Sequence, residues 1–272
     1  MNFIEKLTNA TRKNKSLLCV GLDSTPERMP ENVGIFEFNK AIIDATADLV
    51  CAYKPNLAFY EASGSEGLEA LKQTVKYIPD NIPVIADAKR GDIGNTAKAY
   101  ARAIFDNLNF DATTVSPYLG FDSIEPFIQY REKGVLILCR TSNTSALDFQ
   151  SLQCEVESGS RPLFEIVALK ASQWNTYGNI GLVVGATYPE ELRLIRQNHP
   201  DMPLLIPGIG AQGGDIALTV RYGVNAQGEG AIINSSRGII YASRGKDFTQ
   251  AARKAASELR DQINSYLPTH TG

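Results

Sequence analysis

Eight short apolar runs alternate with helical patterns along the whole chain, and that rhythm constrains the fold more than any other feature. The runs fall at Ser16–Val20, Cys51–Lys54, Pro83–Asp87, Ala112–Val115, Val135–Cys139, Gly181–Val184, Leu204–Ile206 and Ala231–Asn234. Most are apolar at consecutive positions, the mark of strands buried on both faces. Helical patterns follow at Val33–Leu49, Gly67–Tyr77, Ile93–Asn107, Ser123–Glu132, Leu163–Trp174, Glu190–Gln197, Asp215–Tyr222 and Phe248–Tyr266. Parallel strands need crossover connections, and helices supply them here. About eight such units in 272 residues predict an α/β fold, a single-domain (β/α)8 TIM barrel over residues 1–272. A doubly wound open sheet is the competing arrangement.

The chain is 43% hydrophobic and 21% charged, which suits a globular protein with a large core. Its net charge of −3 offers no basic field for nucleic acid or an anionic membrane. A local phosphate site needs only a few donors and stays open. Cys19, Cys51, Cys139 and Cys154 form no C-x-x-C pair and read as free thiols in a reducing compartment. The start, Met1-Asn2-Phe3-Ile4-Glu5-Lys6-Leu7, has an amphipathic helix pattern and lacks the apolar core of a signal peptide. With no run long enough for a membrane span, the expectation is a cytoplasmic protein. His199 and His270 lie away from strand ends, which argues against a Ser-His-Asp triad or a histidine-rich zinc site. The polar stretch Asn143–Arg161 reads as a solvated surface loop, with a lid as the second reading.

A barrel carries its chemistry at the C-terminal ends of its strands. The third run ends in Asp87-Ala88-Lys89-Arg90-Gly91-Asp92. Strand alternation points Asp87 and Lys89 the same way, and a glycine turn follows before Asp92. Two carboxylates and an ammonium are thus expected at one strand mouth, where close charges cost desolvation. Asp23 and Lys54 end the first two strands, giving four charges of alternating sign. Singly, Asp23 reads equally well as a turn cap, Lys54 as a surface lysine, and Asp87 with Lys89 as a structural ion pair. The seventh strand leads into Pro207-Gly208-Ile209-Gly210-Ala211-Gln212-Gly213-Gly214, and the eighth into Ser235-Ser236-Arg237-Gly238. Glycine-rich backbone and a guanidinium suit a phosphate, and loops after strands seven and eight are its usual grip in this fold.

Asp87-Ala88-Lys89-Arg90-Gly91-Asp92-Ile93-Gly94-Asn95-Thr96 resembles the D-x-K-x-x-D-I-x-x-T signature of the orotidine 5′-phosphate decarboxylase family. Gly21-Leu22-Asp23, Tyr53-Lys54-Pro55-Asn56, Arg140-Thr141-Ser142-Asn143, the loop from Pro207 to Gln212 and Ser235-Ser236-Arg237 match it in order. Asp87-Ala88-Lys89-Arg90-Gly91-Asp92 and Arg140-Thr141-Ser142-Asn143 resemble the longer bacterial branch. The resemblance implies a barrel converting orotidine 5′-monophosphate to UMP and CO2 with no metal or organic cofactor. It implies Lys89 as the acid at C6, Asp87 beside the leaving carboxylate, and Lys54 and Asp23 on the ribose hydroxyls. Ser142 would bind the pyrimidine, while Pro207, Gln212, Ser236 and Arg237 would frame the phosphate. Asp92, Ile93 and Thr96 would serve the neighbouring subunit of a homodimer. Two rivals remain. One is a Mg²⁺-dependent sugar-phosphate relative sharing the D-x-K-x-x-D core, against which Ser142 and Gln212 argue. The other is a silent nucleotide-binding barrel, against which the intact charge set argues.

Overall fold

The computed structural model describes residues 1–156, 159–209 and 214–268. Eight parallel strands form the barrel: β1 (Leu18–Gly21), β2 (Ala52–Lys54), β3 (Ile85–Arg90), β4 (Ala112–Val115), β5 (Gly134–Arg140), β6 (Ile180–Val184), β7 (Leu204–Ile206) and β8 (Ala231–Ser235). Each strand pairs with its sequence neighbours, and β8 returns to β1. Parallel bridges Tyr53–Val84 and Asn56–Asp87 close the seam between β2 and β3. An open sheet would leave two edges, so the closed barrel is the arrangement adopted.

Side-chain alternation sorts the apolar residues into two layers. Cys19, Ala52, Ile85, Ala112, Leu136, Val183, Leu205 and Ile232, one from each strand, fill the lumen. Phe3 and Leu7 join them from below, on helix α1 (Phe3–Asn14). A reciprocal capping box of Asn2 and Glu5 starts α1. The Phe3 ring lies where a Cβ on Gly134 would stand, 2.3 Å from its nearest atom, so the plug requires glycine there. Lys6 adds an ion pair to Asp111 at 2.8 Å. The bottom of the barrel is therefore sealed, and the polar residues collect at the top.

The strands and most helices fall within a few residues of the sequence reading. Four places differ, the first being a short helix at Arg237–Ile240 after β8. A helix at Leu57–Ala62, capped by Asn56, intervenes before the expected helix, which runs over Gly64–Tyr77. The expected helix Ser123–Glu132 shrinks to Glu125–Ile128. There the Ser123 hydroxyl donates back to the Gly120 carbonyl, and Asn179 donates to the carbonyls of Ile128, Tyr130 and Lys133, which fixes a turn instead. The polar stretch Asn143–Arg161 is not a structureless loop. It holds a 3-10 turn at Thr144–Asp148 and an antiparallel hairpin of Gln153–Val156 with Gly159–Pro162. Among the described residues, no helix is long and apolar enough to cross a membrane. Cys19, Cys51 and Cys139 are buried, Cys154 is partly exposed, and all four are free.

Candidate active site

A cavity opens at the C-terminal mouth of the barrel. Its walls include Asp23, Lys54, Asp87, Pro207, Asn234 and Arg237. Lys54 is the last residue of β2 and is buried. Its Nζ donates to Asp87 Oδ2 at 2.9 Å. Lys89 Nζ reaches the other oxygen, Asp87 Oδ1, at 2.5 Å, with about half of its side chain exposed. Asp87 is thus held between a buried and an accessible ammonium. Asp23 shares the cavity wall, and its Oδ1 is buried without a hydrogen-bond partner. A buried carboxylate oxygen left unpaired on a cavity is an acceptor for a ligand hydroxyl.

The charges support each other. Burial alone would raise the Asp87 pKa, but Lys54 and Lys89 outweigh it and hold the carboxyl well below the usual range. Burial alone would lower the Lys54 pKa, but Asp87 and then Asp23 outweigh it and hold the ammonium above the usual lysine range. Both groups stay charged at neutral pH. Cys19, under the array, has its thiol pushed up to about 12, burial being the main cause, so it stays protonated.

The rest of the rim comes from β7 and β8. Pro207, Gly208 and Ile209 form one wall, and Asn234, Ser235, Ser236, Arg237 and Gly238 the other. Gly208 takes a positive φ of 104°, which glycine adopts freely. Ser236 tucks against β1, its Oγ only 1.9 Å from where a Cβ on Gly21 would stand. Arg237 is exposed on the lip.

Not every expected residue reaches this cavity. Lys89 does not line it and meets it only through its contact with Asp87. Asp92 does not line it, contrary to the strand-mouth expectation; its Oδ1 instead accepts the Ile93 N–H at 2.8 Å. Ile93 and Thr96 are exposed beyond the same turn. Ser142 lies at the end of β5, its backbone 2.8 Å from a Cβ built on Gly185, and does not line the cavity either. Gln212 lies outside the described residues, as do Gly210 and His270. Neighbouring Arg140 is fully buried, ion-paired to Glu191 and stacked 3.7 Å from the ring centre of Tyr188. Gln150, from the polar insertion, accepts the Thr141 N–H at 2.8 Å. The insertion is therefore pinned beside the mouth.

Two residues escaped the sequence reading as site candidates. Asn234 lines the cavity with a buried Oδ1 that has no partner. Thr114 donates to Asp87 Oδ1 at 3.1 Å from the neighbouring strand. The signal was present in both cases, as a polar side chain towards the C-terminal end of a buried strand.

Fold and site together define a barrel enzyme that keeps its polar machinery at the strand C-termini, with a mixed-charge array beside glycine- and serine-rich loops. The model of the orotidine 5′-phosphate decarboxylase / HUMPS family matches residues 16–255. The chain belongs to this family. It is 59% identical over 266 residues to an orotidine 5′-phosphate decarboxylase of Dehalococcoides mccartyi (strain CBDB1), covering 98% of each chain. It is 52% identical over 275 residues to that of Ralstonia nicotianae (strain ATCC BAA-1114 / GMI1000), covering 98% of this chain and 99% of the relative. The structure of the Leishmania donovani OMP decarboxylase superposes with a TM-score of 0.85 at 42% identity, covering 98% and 99%. The chain is accordingly a carboxy-lyase, and its reaction is the decarboxylation of orotidine 5′-monophosphate to UMP in pyrimidine synthesis.

Proposed function

We propose that decarboxylation here runs through the Lys54–Asp87–Lys89 array, with Lys89 delivering the proton to C6. The observation that carries this reading is the placement of Asp87, on the cavity wall, between the buried ammonium of Lys54 and the half-exposed ammonium of Lys89. Loss of CO2 from C6 leaves a vinylic carbanion with no adjacent carbonyl to spread its charge. A lysine ammonium at C6 stabilises that charge as it forms and then protonates it. Asp87 faces the substrate carboxylate. Two such charges about 4 Å apart repel by roughly 4 kcal/mol at an effective dielectric of 20. That is small beside the ~8–23 kcal/mol that enzymes typically supply. Carbanion stabilisation therefore ranks first, and electrostatic stress on the substrate second.

The remaining roles follow the chemistry of each group. Asp23 and Lys54 hold ribose hydroxyls, which suits the unpaired Asp23 Oδ1. Arg237, Ser236, Pro207 and Gln212 frame the phosphate, and Ser142 the pyrimidine edge. Binding energy from the phosphate, remote from C6, orders the site around the base. No metal or organic cofactor takes part. The enzyme acts as a homodimer, and Asp92, Ile93 and Thr96 serve the partner's cavity. Their position outside their own chain's cavity suits that arrangement.

Lys89→Ala tests the central assignment. The variant should fold normally and lose turnover of orotidine monophosphate by several orders of magnitude in an ultraviolet assay, with or without EDTA. Turnover near the wild-type level would remove Lys89 from the mechanism.

A further inference from the structure

Strand β3 carries surplus backbone where the array sits. Its register with β4 runs Ile85–Ala112 and Ala86–Thr113, then resumes only at Arg90–Val115. Between those points Asp87, Ala88 and Lys89 face a single residue, Thr114. A bulge of this kind removes ladder partners from the longer strand and re-aims its side chains. Lys89 takes a φ of 47°, left-handed for a residue with a Cβ. Such a conformation persists only where its surroundings enforce it.

Thr114 supplies what the bulge removes. Its Oγ1 accepts the Ala88 N–H at 3.0 Å and the Lys89 N–H at 2.9 Å. The same oxygen lies 3.1 Å from Asp87 Oδ1. A hydroxyl has one proton and two lone pairs. Two N–H groups occupy the lone pairs, so the proton is directed at the carboxylate. The hydroxyl is saturated, and Thr114 is almost fully buried.

We propose that Thr114 is a positioning residue for the decarboxylation, fixing the spacing of Asp87 and Lys89 by holding the bulge between them. The proposal deepens the reading in which Lys89 is the acid, and rests on it. Thr114 does not line the cavity, so its removal should act on the rate and not on ligand affinity.

The test compares Thr114→Val, Thr114→Ser and Lys89→Ala for kcat, KM and UMP dissociation constant. Valine keeps the shape and removes the hydroxyl. Misplacement of a reacting group by about 1 Å costs roughly 100-fold, so T114V should lose kcat by about that factor. Its KM and its UMP dissociation constant should stay within about threefold of wild type, a difference of well under one tenfold step. T114S should restore most of the lost kcat. If the valine variant does not fold, Thr114→Cys takes its place, since a thiol of similar size is a weak hydrogen-bond partner. Wild-type kcat in T114V, parallel loss of rate and UMP affinity, or failure of serine to rescue would each overturn the proposal. Should Lys89→Ala stay active, the acid assignment fails instead. An inactive Lys89→Ala beside a fully active T114V removes only the role of Thr114.

Discussion

Removal of the Lys54 ammonium isolates the electrostatic contribution of the array to stability. Lys54→Met keeps the length of the side chain and its fit among apolar neighbours. Only about 4% of the Lys54 side chain and 11% of the Asp87 side chain are exposed, so the pair is desolvated. Taking one partner from a buried pair costs about 3–5 kcal/mol, because the other charge is left uncompensated. Lys89 still holds one Asp87 oxygen, which favours the lower end of that range. For a domain of this size the loss corresponds to a Tm decrease of roughly 6–10 °C. The sign of the pH dependence is fixed by Asp87. Its folded-state pKa is depressed, so its stabilisation is fully present above the ordinary carboxylate range and fades as pH falls below it. Lys54 has a raised pKa, so its share persists through neutral pH and fades only in strong alkali. In the methionine variant Asp87 loses much of its depression and protonates more readily. The stability gap to wild type should therefore be flat from about pH 5 to 9 and narrow below about pH 4, by at most about 1.4 kcal/mol per unit. Thermal and urea melts of both proteins across pH 3–8 measure the gap. A constant gap down to pH 3, or none at pH 7, would refute the reasoning.

Gly21→Ala places a Cβ against Ser236 and pushes the β8 loop outward. KM for orotidine monophosphate should rise at least tenfold with a smaller change in kcat, as steady-state kinetics will show; an unchanged KM would detach Ser236 from phosphate binding. A dilution series followed by sedimentation and activity tests the shared site. Specific activity should fall as monomer accumulates, and full activity in a demonstrated monomer would return Asp92, Ile93 and Thr96 to a surface role.

The barrel was legible because parallel strands are buried on both faces and so read as apolar runs such as Ile180–Val184. The array was legible because charges stand out at the ends of such runs. What was hidden is non-local. Alternation placed Asp87 and Lys89 on the same side, and they do meet, but through a bulge and a left-handed residue that depend on β4. The helix lost after Ser123 depends on Asn179, more than fifty residues away in sequence. In the hairpin within Asn143–Arg161 only Gln153–Val156 alternates, over four residues, while its partner Gly159–Pro162 has no apolar residue but Pro162, so periodicity was too brief to mark it. Asp92 seemed to belong with its neighbours in sequence, but the turn at Gly91 carries it off the cavity.

The sealed bottom of the barrel has a consequence for assembly during synthesis. Helix α1 leaves the ribosome before any strand of the barrel, yet its apolar face fits a lumen lined by residues from every strand, up to Ile232. Phe3 needs Gly134, Lys6 needs Asp111, and Arg12 pairs with Glu229. Such contacts span from 105 to 217 residues of sequence, and loop closure of that length slows folding. Helix α1, made before the strands it packs against, is thus among the last elements to be fully bound. Until then Phe3 and Leu7 stand as exposed apolar surface on the nascent chain, a natural landing point for chaperones and for aggregation.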